Sequence, residues 1–183
     1  MNNIYLKKIP LQGFATIQSS LQQFVQHAYQ MQHTSIFYCL SREALFTIDG
    51  HKYRFTQGEL IICPMGSSIL LLDITSDFSS RLLGLSKHIW LAARSAFTPE
   101  TMQQIECFPH QGCNNELESE FITNLFRQVD LMDISAENDE NTEFCRQNII
   151  LTVNSLLLYL QHISKEKSNR SKEHISESKD KVF

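Results

Sequence analysis

The 183-residue sequence has no basic surplus: 16 Lys and Arg stand against 20 Asp and Glu, a formal net charge of −4. Gripping a phosphate backbone takes a basic face, so these residues are excluded as a direct nucleic-acid interface and any contact with DNA falls to another segment. Long apolar runs are also missing. No stretch approaches the ~20 residues of a membrane span, and Lys7, Lys8, Pro10, Gln12 and Gly13 are followed by nothing resembling a signal peptide. There is no even set of cysteines: Cys39, Cys63, Cys107, Cys113 and Cys145 make an odd number, three of them in apolar runs, which fits reduced, buried thiols rather than a disulfide framework. A cytoplasmic protein is the expectation. The spacing of the histidines yields no Ser/His/Asp or Cys/His arrangement for nucleophilic catalysis.

What is present is material for a core. Forty-two per cent of the residues are hydrophobic and 20% charged, ordinary for a globular chain long enough for one domain with or without an appendage. From Met1 to about Gln32 the pattern is weak, with Phe14, Ile17, Leu21, Phe24 and Val25 recurring at roughly helical spacing. After His33, short runs of bulky residues alternate with turn signals. Residues 35–40 and 44–48 read as strands. Asp49-Gly50 predicts a tight hairpin turn into a strand at 52–55. Gln57-Gly58 turns the chain again, into the apolar run Leu60-Ile61-Ile62-Cys63, which Pro64 and Gly66 terminate. Residues 69–74 and 81–85 complete a set of short strands whose regular spacing indicates a sandwich or barrel.

The character then changes to helix. A short helix is expected over 88–97, ended by Thr98-Pro99, followed by a loop containing Pro109, Gly112, Asn114 and Asn115. Leu117, Phe121, Leu125, Val129 and Met132 mark one side of an amphipathic helix. A last helix from about Thr142 to Lys165 carries Ile149, Ile150, Val153, Leu156, Leu157, Leu160 and Ile163 on one broad face. That face is wider than a lone surface helix needs, so part of it is expected on the barrel and part on a second molecule. Ile149, Val153, Leu156, Leu157 and Leu160 are the candidate dimer interface. Beyond Ser164 the composition is that of a linker, whether frayed helix or coil.

The stretch from Gly58 to Ile69 resembles the second motif of the cupin superfamily: Gly58, Pro64 and Gly66 match its spacing, and its histidine position holds Ile69. Glu43 and Gly50 match the end of the first cupin motif. The histidines of that motif would fall on Phe37 and Cys39, or on Ile36 and Tyr38 in the other permitted spacing. The resemblance therefore implies a cupin scaffold without its three-histidine metal set, and no metal or other cofactor is expected. Cys39 and Glu43 alone make a poor ligand pair. More narrowly, 35–165 is similar to the N-terminal regulatory domain of AraC-type transcription regulators.

That resemblance implies an α+β fold, a cupin-like antiparallel β-barrel (jelly roll) followed by two long helices. Residues 1–100 would hold the barrel with a short helix at its end, 101–165 a helical dimerisation subdomain, and 166–183 a linker toward a C-terminal helix-turn-helix domain that alone would touch DNA. A homodimer with a small-molecule effector is implied, and no enzymatic activity. Positions equivalent to the lost ligands should face the barrel interior, so Phe37, Cys39, Glu43, Phe46 and Ile69 are the candidate ligand pocket: an apolar cavity with one orienting carboxylate. The opposing reading is a filled barrel with Glu43 at a solvated rim.

Three other readings compete. A metal-dependent cupin enzyme of dioxygenase or isomerase type is opposed by the missing histidines. A cyclic-nucleotide sensor is echoed by Gly58-Glu59-Leu60 and Arg94-Ser95-Ala96, but its phosphate cassette needs the arginine close behind the glutamate. Cys107, His110 and Cys113 invite a zinc site, yet a closed structural site wants four ligands and no fourth is near in sequence.

Overall fold

A computed structural model describes residues 13–107, 110–112, 115–135 and 141–179, with no side chain described beyond Lys165. Among the described residues nine strands form two antiparallel sheets: β1 (Phe14–Ser19), β2 (Ala28–Gln30), β3 (Thr34–Ser41), β4 (Glu43–Ile48), β5 (His51–Thr56), β6 (Glu59–Cys63), β7 (Ser68–Ile74), β8 (Ser79–Leu85) and β9 (His110–Gly112). Their orders are β1-β8-β3-β6-β9 and β2-β7-β4-β5. Successive strands up to β4 alternate between the sheets, as do β6, β7 and β8, which is the double Greek key of a jelly roll and makes the fold cupin-like. The expected closed barrel is not formed, because no ladder joins the two sheets among the described residues.

Local chemistry explains the registers. Asp49 and Gly50 take φ values of 49° and 83°, both in the left-handed region that a two-residue hairpin turn demands, and Ile48 pairs with His51 across it. The Asp49 carboxylate also accepts from the Ser68 amide at 2.7 Å, tying this hairpin to β7. At the other end of the chain, the helical spacing at 14–25 was misleading. Phe14–Ser19 pairs residue for residue with β8, and only Gln22–Phe24 forms a 3-10 turn. Phe14 and Ile17 serve two different cores from one strand, which is why their three-residue spacing resembles that of a helix.

The five-stranded sheet is covered on both faces, which is why β3 and β6 read as unbroken apolar runs. Ile36, Tyr38, Leu60, Ile62, Leu83 and Leu85 face the helices, while Phe37, Cys39, Ile61, Cys63 and Leu82 face the second sheet. The outer layer is supplied by the helices α1 (Lys87–Arg94), α2 (Pro99–Cys107), α3 (Glu116–Ser135) and α4 (Thr142–Lys179). Ser86 caps α1 by accepting from the Ile89 amide. The first helix ends at Arg94, ahead of Thr98-Pro99, and Pro99 also opens α2 with Thr98 accepting from the Thr101 amide at 3.3 Å, because proline is well suited to a first helical position.

Helix α3 is locked to the jelly roll by polar contacts as well as packing. Arg81 on β8 pairs with Asp130, whose carboxylate also accepts from the Thr16 hydroxyl at 3.2 Å. Tyr38 stacks on Phe126 with 5.5 Å between ring centroids and reaches the Ser119 hydroxyl at 3.0 Å. The linker expected from residue 166 continues as helix to Lys179. No helix among the described residues is long and apolar enough to cross a membrane.

Candidate functional site

Four of the five candidate pocket residues lie together between the sheets. Phe37, Cys39, Phe46 and Ile69 are buried in one cluster with Phe55, Phe78, Ile61, Cys63 and Leu71. Aromatic rings fill this space in sequence: Phe37 to Phe46 at 5.9 Å, Phe46 to Phe55 at 5.5 Å and Phe55 to Phe78 at 6.3 Å between centroids. Where a metal cupin has imidazoles pointing at an open centre, this chain has hydrocarbon against hydrocarbon.

Glu43 does not join them. Along β4, Ala44, Phe46 and Ile48 are buried in strict alternation, which places Glu43 on the opposite parity and takes it out of the interior. Its side chain is 43% exposed and pairs with Arg54 at 3.5 Å. The sequence reading began this strand at Ala44, whereas β4 includes Glu43, on its outward parity. Glu43 instead lines an open cleft of ≈ 580 Å³ at the rim, with Arg42, Thr56, Gln57, Thr75 and Ser76. None of those five neighbours was singled out from the sequence as a site residue. The available signal was that all of them sit in or beside turns at one end of the strands.

The interior thiols are chemically quiet. Cys39, Cys63 and Cys145 are free and fully buried. Burial pushes the Cys39 thiol up to about 12, outweighing the opposing effect of the Ser41 backbone, and pushes Cys63 up as well. With three of five cysteines buried, a thiol reagent applied to the native chain at pH 8 is expected to titrate no more than two, and all five in denaturant. Rapid native labelling of three or more would show that the interior opens. Among the described residues no group of three or more His, Cys, Asp or Glu is arranged to hold a metal ion. The zinc reading on Cys107, His110 and Cys113 falls on side chains outside the described residues.

The candidate dimer residues need correction. Ile149, Val153, Leu156, Leu157 and Leu160 are all buried within the single chain, packed with α1, α2, α3 and the outer face of the five-stranded sheet. The opposite side of α4 is where apolar residues remain uncovered: Phe144 is 62% exposed, Leu151 62% and Leu158 57%. They lie one heptad apart, so they form a single stripe along the helix. Phe121 of α3, its ring 5.7 Å from that of Tyr159, borders the stripe at one end. Leu117 beside it is the most exposed large apolar residue of α3.

No family model matches the chain, and no curated protein sequence matches it. Solved structures do resemble it. ToxT from Vibrio cholerae, solved with a bound unsaturated fatty acid, is 12% identical over 84% of this chain and 55% of that one, with a TM-score of 0.47. The AraC-like transcriptional activator CuxR is 12% identical over 80% of this chain and 49% of that one, at 0.45. A cupin protein from Bacteroides fragilis is 17% identical over 40% of this chain and 64% of that one, at 0.33. The chain spans about half the length of the two regulators. Its structural neighbours therefore include AraC-like regulators and cupin proteins, and its own strand order is that of a cupin-like jelly roll.

Proposed function

We propose that this chain is a non-catalytic regulatory domain of an AraC-type transcription regulator, which pairs with a second copy of itself through the outer face of α4 while a further domain binds DNA. The observation that carries this reading is the stripe of Phe144, Leu151 and Leu158. Three large apolar side chains, each more than half exposed, repeat at heptad spacing on a helix whose other side is sealed into the core. A heptad seam is self-complementary, so a second copy is its natural partner. The packed interior supports a non-catalytic role, since Phe37, Cys39 and Ile69 occupy the space in which a cupin metal centre would be built. The acidic balance supports leaving DNA contact to another domain. An effector would act by favouring one placement of the helices over another, which requires unequal affinity for the two.

The test is a paired substitution, Leu151→Glu with Leu158→Glu. Both positions are exposed in the single chain, so the variant should fold normally. Loss of a buried leucine contact is worth about 1.5–3 kcal/mol, and tenfold in Kd is about 1.4 kcal/mol. The dimer should therefore weaken by about two orders of magnitude or more. Light scattering is expected to report dimers for the parent chain and folded monomers for the variant. A parent chain that stays monomeric at high concentration, or a variant that still dimerises, would remove this seam.

A further inference from the structure

Three turns meet at one end of the jelly roll around the cleft beside Glu43. The β3–β4 turn pivots on Arg42, the β5–β6 turn on Gln57 and Gly58, and the β7–β8 turn runs from Thr75 to Asp77. Each contains a residue in left-handed backbone: Arg42 at φ 65°, Gly58 at 83° and Asp77 at 62°. Glycine and, less readily, aspartate tolerate that region, whereas arginine has no local reason to occupy it. Strain of this kind persists only where surrounding contacts enforce it, and it concentrates at binding sites.

The enforcing contacts are visible. The Gly58 amide donates to the Cys39 carbonyl at 2.9 Å, and the Ser41 hydroxyl donates to the Asp77 carbonyl at 2.8 Å. The Thr75 amide and hydroxyl both donate to the Glu43 carbonyl, at 3.1 and 3.0 Å. From beneath, the Cys39 thiol donates to the Arg42 carbonyl at 3.4 Å. The walls of the cleft are therefore fixed to one another before anything binds.

The lining has a distinct chemistry. All six residues are polar, the cleft measures ≈ 580 Å³, and a volume of that order suits a small ligand. Glu43 is paired with Arg54, and Thr75 is used in the wall. Among the described residues, the side chains of Arg42, Thr56, Gln57 and Ser76 make no hydrogen bond or ion pair within the protein. Asp77 follows Ser76 but is not part of the lining. Besides Glu43 and Thr75, the lining residues carry one uncommitted guanidinium, two hydroxyls and a carboxamide, on apolar stems and with no aromatic residue among them.

We infer that this cleft binds a small polyhydroxylated anion, a carboxylate or phosphate carried on a sugar-like body. Arg42 takes the anion through its planar fork, and Thr56, Gln57 and Ser76 exchange hydrogen bonds with the hydroxyls. The inference deepens the regulatory reading by placing an effector at the rim rather than between the sheets. It rests on that reading only for the consequence of binding, since occupancy is measured separately from dimerisation.

The experiment is isothermal titration of the 183-residue chain with glucuronate, glucose 6-phosphate, glucose and inorganic phosphate, with thermal denaturation and light scattering in parallel. Saturable binding of glucuronate or glucose 6-phosphate is expected, at least tenfold tighter than glucose and than inorganic phosphate, and the stronger of the two identifies the anion. Arg42→Gly should raise the melting temperature without ligand, because glycine adopts the left-handed angle freely, and should weaken binding at least tenfold. Thr56→Ala, folded as the parent, should weaken binding less. Equal binding of glucose, equal binding of inorganic phosphate, unchanged affinity in Arg42→Gly, or no saturable binding of either sugar anion would each overturn the assignment. An Arg42→Gly chain that loses binding but keeps its oligomeric state leaves the dimer question to the α4 variants alone.

Discussion

Leu157→Glu or Leu160→Glu is expected to yield no folded protein, not a folded monomer. Both leucines are fully buried in the core that α4 shares with α1, α2 and α3. Removing a leucine side chain from such a site costs about 2–5 kcal/mol through lost transfer energy and the cavity left behind. Glutamate adds to this a carboxyl group in apolar surroundings. It would be driven to its neutral form, and a buried neutral acid without a partner still costs about 1–3 kcal/mol. The sum is about 3–8 kcal/mol, against a total stability of about 5–15 kcal/mol for a domain. Soluble yield and far-ultraviolet circular dichroism are the measurements. A variant that melts cooperatively near the parent temperature as a monomer would place these leucines at a seam between chains and reverse the assignment of the two faces of α4. Leu158→Glu, one residue away and 57% exposed, is the control that should fold.

The adjacency of those three leucines marks where sequence periodicity runs out. Leu156, Leu157 and Leu158 span about 200° of helix at 100° per residue, so at least one must leave any single apolar face. Nothing in the spacing says which. The residues at 149, 153, 156 and 160 define the broad stripe, and it was natural to give its surplus width to a partner. The structure divides the side chains differently, because α1, α2 and α3 close over that stripe together and bury all of it. The separate heptad of Phe144, Leu151 and Leu158 is present in the sequence but is thin, with one apolar residue per two turns. It becomes informative only once the other face is known to be covered.

The β portion was more legible because turn chemistry is local. Asp49-Gly50 and Gln57-Gly58 pin three strands without reference to anything distant, and the observed angles at Asp49, Gly50 and Gly58 are those the turns require. Strand β1 was not legible, since its partner β8 lies more than sixty residues away and its own side chains divide between two cores. For the candidate site, matching the cupin spacing brought Phe37, Cys39 and Ile69 to the interior. It failed at Glu43, where alternation along β4 overrides the spacing of the motif. The rim cleft could not be read at all, since it is assembled from three turns whose proximity is a product of the jelly-roll topology.

Phe46→Ala should lower stability by about 3–5 kcal/mol, the usual cost of truncating a core phenylalanine. Phe46 is 1% exposed and sits at the centre of the row of rings, tilted against Phe37 and edge-on to Phe55. Edge-to-face pairs contribute about 0.5–1.5 kcal/mol beyond the area they bury, and this substitution removes two ring contacts at once. Strands on both sides are held by ladders, so the walls cannot close fully over the missing ring, and the cost should lie toward the upper end. For a chain of this size the melting temperature should fall by about 6–20 °C, and the denaturant midpoint should drop with little change in slope. The same measurement bears on where an effector sits. If the space between the sheets is solid, as the ring distances indicate, deleting Phe46 creates a cavity and the full penalty follows. A loss below about 1 kcal/mol would mean that Phe46 borders a space already open to solvent or to a ligand, and the effector site would then move from the rim back to the interior.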